Sequence, residues 1–387
     1  MFVPLASPDI TDREIETVNE VLKSGILSIG EHTKKFEEKI AEFAGLSYAV
    51  AVNSGTSALH LIIKAISMTS GDIMITSPFT FISSANVALF EHALPVFADI
   101  DEKTLNVTPE TLDHALKVYE KRGMKTEKLS LPVFTPGYFM AVDIFGHPLD
   151  WDGITDVCKK HKIKIIEDSC EALGSEYKGK KVGSFGEAGS FAFYPNKQIT
   201  TGEGGIIVTD NETIAKNTKS MRNQGRGVEE NWLEHVRLGY NYRIDELSAA
   251  IGVVQMERFD DLFNKRTKVA DRYNSLFENV EGVQTPYIAD YVTKMSWFVY
   301  VIRLDETINR EKIMTYLNNK GVQCRDYFRP IHLQPFYKEQ FGYTEGMFPV
   351  TEKVSKQTLA IPFHNNLTGE EQNYVAETIK EAIDLTG

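Results

Sequence analysis

One lysine stands between an aromatic run and a turn of threonines and glycines, in Phe193-Tyr194-Pro195-Asn196-Lys197-Gln198-Ile199-Thr200-Thr201-Gly202-Glu203-Gly204-Gly205. Glycines let the backbone approach a ligand closely. An amine held there partly desolvated has its pKa lowered and can form a Schiff base with a carbonyl, although an ordinary turn lysine fits the same letters. A second group is Ile165-Ile166-Glu167-Asp168-Ser169-Cys170-Glu171, an apolar run ending in acids. A carboxylate at the end of a buried parallel strand is costly unless a cation or a protonated heterocycle pairs with it; the alternative is an exposed acid capping the next helix. The third is Asn53-Ser54-Gly55-Thr56-Ser57-Ala58-Leu59, where small hydroxyl residues open a helix. Free amides and hydroxyls at such an end seat a phosphate without a basic side chain, or form a plain N-cap; the GxxxxGK[ST] spacing is absent. Taken together, the three groups describe one ligand with a phosphate, a protonatable ring nitrogen and a carbonyl open to an amine. Pyridoxal 5′-phosphate (PLP) has those three handles.

The elements that must position these groups alternate. Thr11 precedes Ile15, Val18, Val21 and Leu22, spaced as one helical face. A second helix spans about 34–43 and stops at Gly45. Short apolar runs at 48–52, 72–76, 94–98, 139–142, 163–166, 190–193 and 205–208 read as strands. Strands separated by helical patterns imply right-handed crossovers and a mainly parallel sheet covered on both faces. Such sheets bind ligands at the carboxyl ends of their strands. Beyond Met256 a long helix (258–279), a strand (297–304), a helix ending at Gly321 and a last helix (368–385) outline a smaller α+β domain. Residues 118–137, with their charges and prolines, read as a surface excursion.

Composition narrows the function. At roughly 100–200 residues per domain, 387 residues suggest two or three domains, or one large one with an appendage. The net charge of −12 argues against nucleic acid and anionic membranes as partners, while leaving room for a local basic pocket. Three cysteines, Cys158, Cys170 and Cys324, form no CxxC and fit a reducing compartment. No signal peptide and no apolar run near the ~18 residues of a membrane span is visible, so a cytoplasmic globular protein is expected. His32, His60, His92 and His114 lack metal-ligand spacing, so no metal site is expected. Cys170 reads as a small buried residue, His147 as a turn residue, and Trp297 with its aromatic neighbours, Phe298 among them, as core of the small domain.

Three stretches carry a resemblance: Ser54-Gly55-Thr56-Ser57-Ala58-Leu59, Glu167-Asp168 with Glu171-Ala172-Leu173-Gly174, and Lys197 through Gly205. With Leu238-Gly239-Tyr240-Asn241-Tyr242-Arg243 they resemble the DegT/StrS-type sugar-nucleotide aminotransferases. The similarity runs from Ser24-Gly25 to Ile331-His332-Leu333-Gln334-Pro335. It implies an α/β, fold-type I PLP-dependent transferase. Residues 1–256 would form a large PLP-binding domain, with a mostly parallel mixed sheet between helices, and 257–387 a small C-terminal α+β domain. It also implies a homodimer with shared active sites.

By the same resemblance, Lys197 is the catalytic lysine that carries the cofactor and moves the proton, and Asp168 keeps the pyridine nitrogen protonated. Glu171 contacts the ring hydroxyl, Phe81 stacks on the ring, Gly55 and Thr56 hold the phosphate, and Asn241 reaches it from the partner subunit. Many relatives have Ser where this chain has Ala192, so either Ser190 or another hydroxyl compensates or the phosphate has one contact fewer. The implied reaction moves an amino group, usually from glutamate, to a nucleotide-linked keto-deoxysugar, here at the 4-position of a 4-keto-6-deoxyhexose as in perosamine-type synthases. Amination at the 3-position, dehydration, or a non-catalytic regulatory role on the same scaffold are the alternatives. Arg222, Arg226, Arg243, Arg325 and Arg329 are candidates for the substrate diphosphate. His332 reads as core packing or a sugar contact.

Overall fold

The computed structural model describes residues 1–227 and 234–386. Its central sheet has seven strands in the order Tyr48–Val52, Gly205–Thr209, Ala188–Ala192, Lys164–Asp168, Tyr138–Val142, Ile73–Thr76, Leu94–Phe97. Only Gly205–Thr209 runs against its neighbours; every pair from Ala188–Ala192 to Leu94–Phe97 is parallel. The alternation of side chains along a strand explains why both faces are apolar. Val50, Val52 and Ile207 pack with the helix Gly55–Ala65, while Ala51, Ile206 and Val208 pack with Phe36 and Ile40 of the helix Glu31–Ala44. Registers place Asp168 opposite Val142 on one side and Ser190 on the other. The carboxyl ends of the parallel strands therefore open along one edge.

A second, antiparallel sheet joins Val283–Gln284, Tyr300–Leu304 and Thr358–Ile361. Residues of the helices Phe259–Phe277, Arg310–Asn319 and Gly369–Thr386 share its core with Trp297. Val3 belongs to the same core, and its N–H donates to the Gly321 carbonyl at 2.9 Å. No described helix is long and apolar enough to cross a membrane.

Two expectations are corrected. The first helix, Asp12–Ser24, buries Val21 but leaves Ile15 and Leu22 each 52% exposed. Glu14 is buried in their place because its carboxylate accepts from Arg258 at 2.6 Å and from Gln255 at 2.8 Å, and this polar clamp sets the rotation of the helix. Residues 118–122 are likewise no excursion. They end the helix Pro109–Arg122, where buried Tyr119 donates to the Phe97 carbonyl at 2.6 Å. A short ribbon, Met124–Lys125 with Ser130–Leu131, follows it.

Burial pushes the Glu14 carboxyl up, but hydrogen bonds from Thr11, Gln255 and Arg258 outweigh it and bring the group down from 4.5 to about 2. A depressed carboxyl contributes stability that is complete above its ordinary value and is lost as pH falls through the folded one. The melting temperature of Glu14→Gln is therefore expected below wild type at pH 7, with a shallower decline than wild type between pH 4.5 and 2. Calorimetry across that range measures both.

Candidate active site

The carboxyl ends of the sheet face a cleft of about 690 Å³, closed on its far side by Phe298 and by residues of the Asp326–Gln334 stretch. Lys197 enters it from a turn that braces itself. The Lys197 N–H donates to the Tyr194 carbonyl at 2.9 Å, and the Thr200 hydroxyl donates to the Phe193 carbonyl at 3.0 Å. Its side chain is 12% exposed, with Nζ 3.7 Å from Glu171 Oε1 and 3.7 Å from the centroid of the Phe298 ring. An ammonium over an aromatic face is held by the ring quadrupole.

Asp168 ends its strand buried in the same cleft. The Ser84 hydroxyl donates to its Oδ2 at 2.6 Å, and the Cys170 N–H approaches its Oδ1 at 3.3 Å. Glu171 is also buried and accepts from the Phe145 N–H at 2.9 Å. Burial pushes its carboxyl up, with the nearby Lys197 charge pulling the other way. Glu167, on the strand's other side, turns away from the cleft. It accepts from the N–H groups of Gly183, Phe185 and Gly186, and burial still pushes it up to about 7. Cys170 lines the cleft with its thiol pushed well up by burial, which keeps it protonated.

Gly55 and Thr56 open the helix Gly55–Ala65, whose N-cap Ser54 accepts from the Ser57 N–H at 3.1 Å. A Cβ at position 55 would lie 2.7 Å from Ala192 Cβ and 3.0 Å from Cys170 Sγ, so glycine is required there by close approach. Ser190 does not line the cleft; its hydroxyl lies 3.4 Å from Cys170 Sγ. The hydroxyls that do line it near Ala192 are those of Ser54, Thr56 and Thr80. Phe81, 59% exposed, lines it as well. Asn241 does not: it is exposed, bridged through its backbone to Asn223.

Among the five arginines, Arg329 alone lines the cleft, at its mouth, with Nε 2.7 Å from Asp326 Oδ2. Arg222 is engaged by Glu37 and the Ala51 carbonyl, Arg243 by Asn223 and Arg325 by the Cys324 carbonyl. His332 is fully buried beside Glu352 and Phe348, on the packing side of its two readings. His147, read as a turn residue, closes the turn Ile144–Gly146, its N–H donating to the Ile144 carbonyl at 2.9 Å; its side chain is buried and accepts from the Ala289 N–H at 3.2 Å.

A lysine, two acids and an anion-ready helix end in one cleft agree with what is known of similar chains. Residues 8–380 match the DegT/DnrJ/EryC1/StrS aminotransferase family. The chain belongs to that family. The GDP-perosamine synthase of Escherichia coli O157:H7 is 33% identical over 98% of this chain and 98% of its own. The structure of Helicobacter pylori PseC, an aminotransferase involved in the biosynthesis of pseudoaminic acid, superposes with a TM-score of 0.90 at 27% identity, covering 100% of both chains. The PLP form of Spr1654 from Streptococcus pneumoniae does so at 0.89 and 26%, over 100% of this chain and 99% of the other. This is a PLP-dependent sugar aminotransferase.

The residues of this aminotransferase fit that cofactor. A buried acid stands where a cationic ring nitrogen could pair with it, an amine lies in the same cleft, and the helix that starts at Gly55 turns its N-terminus, where a phosphate could sit, to that cleft without a side chain at position 55. Sequence reasoning missed Ser84 and Phe298. Ser84 belongs to the same Thr80–Ser84 stretch as Phe81, but only the strand order brings it under Asp168. Phe298 was assigned with Trp297 to the small-domain core, whereas consecutive residues point apart and Phe298 faces the lysine. A hydrogen bond to a charged group contributes about 1.5–3 kcal/mol. Ser84→Ala is therefore expected to weaken PLP binding by about tenfold (~1.4 kcal/mol) in equilibrium dialysis, with Ser84→Thr close to wild type.

Proposed function

We propose that this aminotransferase moves an amino group from an amino acid, glutamate by preference, to a nucleotide-linked 4-keto-6-deoxyhexose, and that it works as a homodimer. The observation that carries the reading is Lys197: a single amine, nearly enclosed, between a carboxylate and an aromatic face. PLP, when bound, supplies the electron sink for charge developing at the amino-bearing carbon. Lys197 Nζ takes the proton from the α-carbon of the donor and later returns it to the sugar carbon. A base must come within roughly 2.6–3.2 Å of that carbon, and Phe298 and Glu171 leave the amine little room to wander. Asp168, its Oδ2 fixed by Ser84, keeps the ring nitrogen cationic. Thr56, Gly55 and Ser54 hold the phosphate, and Phe81 lies on the ring. Residues 1–256 carry the cofactor in this reading, and 257–387 supply Phe298 and the Asp326–Gln334 wall.

The acidic protein must attract an anionic substrate locally. Arg329 is 76% exposed at the mouth and offers a planar fork to phosphate oxygens. The dimer is supported by apolar side chains that one chain leaves in water: Ile10, Ile15, Leu22, Ile26, Leu27 and Ile29 on the N-terminal segment, and Val236 and Leu238 near Asn241. Apolar surface gathered in this way marks an interface. Asn241, exposed on its own chain, is placed by this reading at the partner's phosphate seat.

Incubation with glutamate and a panel of nucleotide-linked keto-sugars is expected to yield 2-oxoglutarate and an aminated 4-keto-6-deoxyhexose. Lys197→Ala should lower turnover by about 10³-fold, within the span general-base removal gives. Turnover retained in that variant, or a product aminated at the 3-position, overturns the mechanism or the regiochemistry respectively. Light scattering should return twice the chain mass of 43.6 kDa.

A further inference from the structure

Away from the cleft, five side chains from three segments form one polar and aromatic cluster. His60 and Lys64 lie one turn apart on the helix Gly55–Ala65, and Glu91 caps the C-terminus of the helix Ser83–Phe90. Glu91 Oε1 is 2.9 Å from His60 Nε2, and Oε2 accepts from Lys64 Nζ at 2.5 Å. The third segment is Tyr240-Asn241-Tyr242. The Tyr242 hydroxyl lies 3.1 Å from His60 Nδ1, and the Tyr240 hydroxyl lies 3.4 Å from Glu91 Oε1. The two tyrosine rings stack on each other, centroids 5.0 Å apart, and Tyr240 packs 4.8 Å from the imidazole.

A neutral imidazole donates from one nitrogen and accepts at the other. His60, 4% exposed, is satisfied by donating to Glu91 and accepting from Tyr242. The backbone is held too. The Tyr240 and Tyr242 N–H groups donate to the Met221 and Arg222 carbonyls, and the Tyr242 carbonyl accepts from the Asn53 N–H at 2.9 Å. In an extended segment alternate side chains point to opposite sides. With 240 and 242 gripped inward, Asn241 is forced outward, as its exposure shows.

We infer that His60, Glu91 and Lys64 are positioning residues for the partner's active site: they clamp Tyr240 and Tyr242 so that Asn241 is presented across the dimer. The inference rests on the shared-site homodimer proposed above. It assigns these residues an effect in trans, on a site to which they do not belong.

Heterodimers purified with two affinity tags separate the readings. A chain carrying Lys197→Ala has no working lysine of its own but lends its Asn241 to the one working site of a wild-type partner. Adding Asn241→Ala to that lending chain should lower turnover by about tenfold or more relative to the Lys197→Ala/wild-type heterodimer. Adding His60→Ala there should lower it comparably. Moving His60→Ala to the chain with the working lysine should leave turnover at the control level, which also shows that the variant folds. In the cofactor-free homodimer, His60→Ala should speed hydrogen–deuterium exchange of the Tyr240 and Tyr242 amides by about tenfold. If Asn241→Ala in the lending chain has no effect, the shared site fails and the clamp's role fails with it. If Asn241→Ala acts but His60→Ala does not, or if His60→Ala acts equally from either chain, the clamp alone is overturned.

Discussion

Asp168 ends a strand enclosed by parallel neighbours on both sides, opposite Val142 and Ser190, where its carboxylate is 5% exposed. Removing a charge from water to such a place costs several kcal/mol unless donors and a counter-charge replace the lost hydration. Two protein donors, Ser84 Oγ and the Cys170 N–H, meet part of that need. Both act at the edge of the carboxylate and neither is a cation, so a positive group in the cleft is favoured beside it. The architecture that follows serves this one position. The parallel order of the strands puts the acid at the sheet edge, the start of the helix Ser83–Phe90 brings Ser84 beneath it, and the reversed strand Gly205–Thr209 returns the chain past the lysine turn.

Lys197 meets the opposite environment. Its amine has one carboxylate at 3.7 Å and a ring face at 3.7 Å, contacts that favour a cation but do not fix it by a short hydrogen bond. Breaking a tight ion pair in a buried site costs about 3–5 kcal/mol. An aromatic face and a more distant acid restrain this amine more softly than a short salt bridge would. Glu171 is itself held by the Phe145 N–H, in the turn Ile144–Gly146 that follows the strand Tyr138–Val142, so the restraint rests on fixed backbone.

Much of this was legible in the letters. Seven strands were located within two residues of their observed ends because buried strands read as short apolar runs between turn signals. Lys197, Asp168 and Glu171 were found because each interrupts or ends such a run, and the structure gathers them with Gly55, Thr56 and Phe81 in one cleft. Periodicity failed where polarity won: Ile15 and Leu22 fit a helical face, yet the Glu14–Arg258 pair rotated Asp12–Ser24 away from it. Ser84 and Phe298 stayed hidden for another reason. Their importance arises from which strands and segments become neighbours, and strand order leaves no mark on local sequence. Ser190 lies two residues before Ala192 and so on the same face of the strand, but it is fully buried with its hydroxyl against Cys170 Sγ, a difference in depth that the letters do not carry.

The two helices that border the cleft do two jobs with their two ends. Gly55–Ala65 begins at the cleft and Ser83–Phe90 begins beneath Asp168, so their N-terminal residues belong to the chain's own cleft. Eleven residues at 1.5 Å each carry the first helix about 16 Å onward, and along that length it presents His60 and Lys64 to Glu91 at the end of the second. The segment gripped there is also tied back to the first turn, since the Asn53 N–H that precedes Ser54 donates to the Tyr242 carbonyl. The first turn of that helix and the segment holding Asn241 are therefore tied twice, by one backbone hydrogen bond at the start of the helix and by the Tyr242 hydroxyl on His60 further along it.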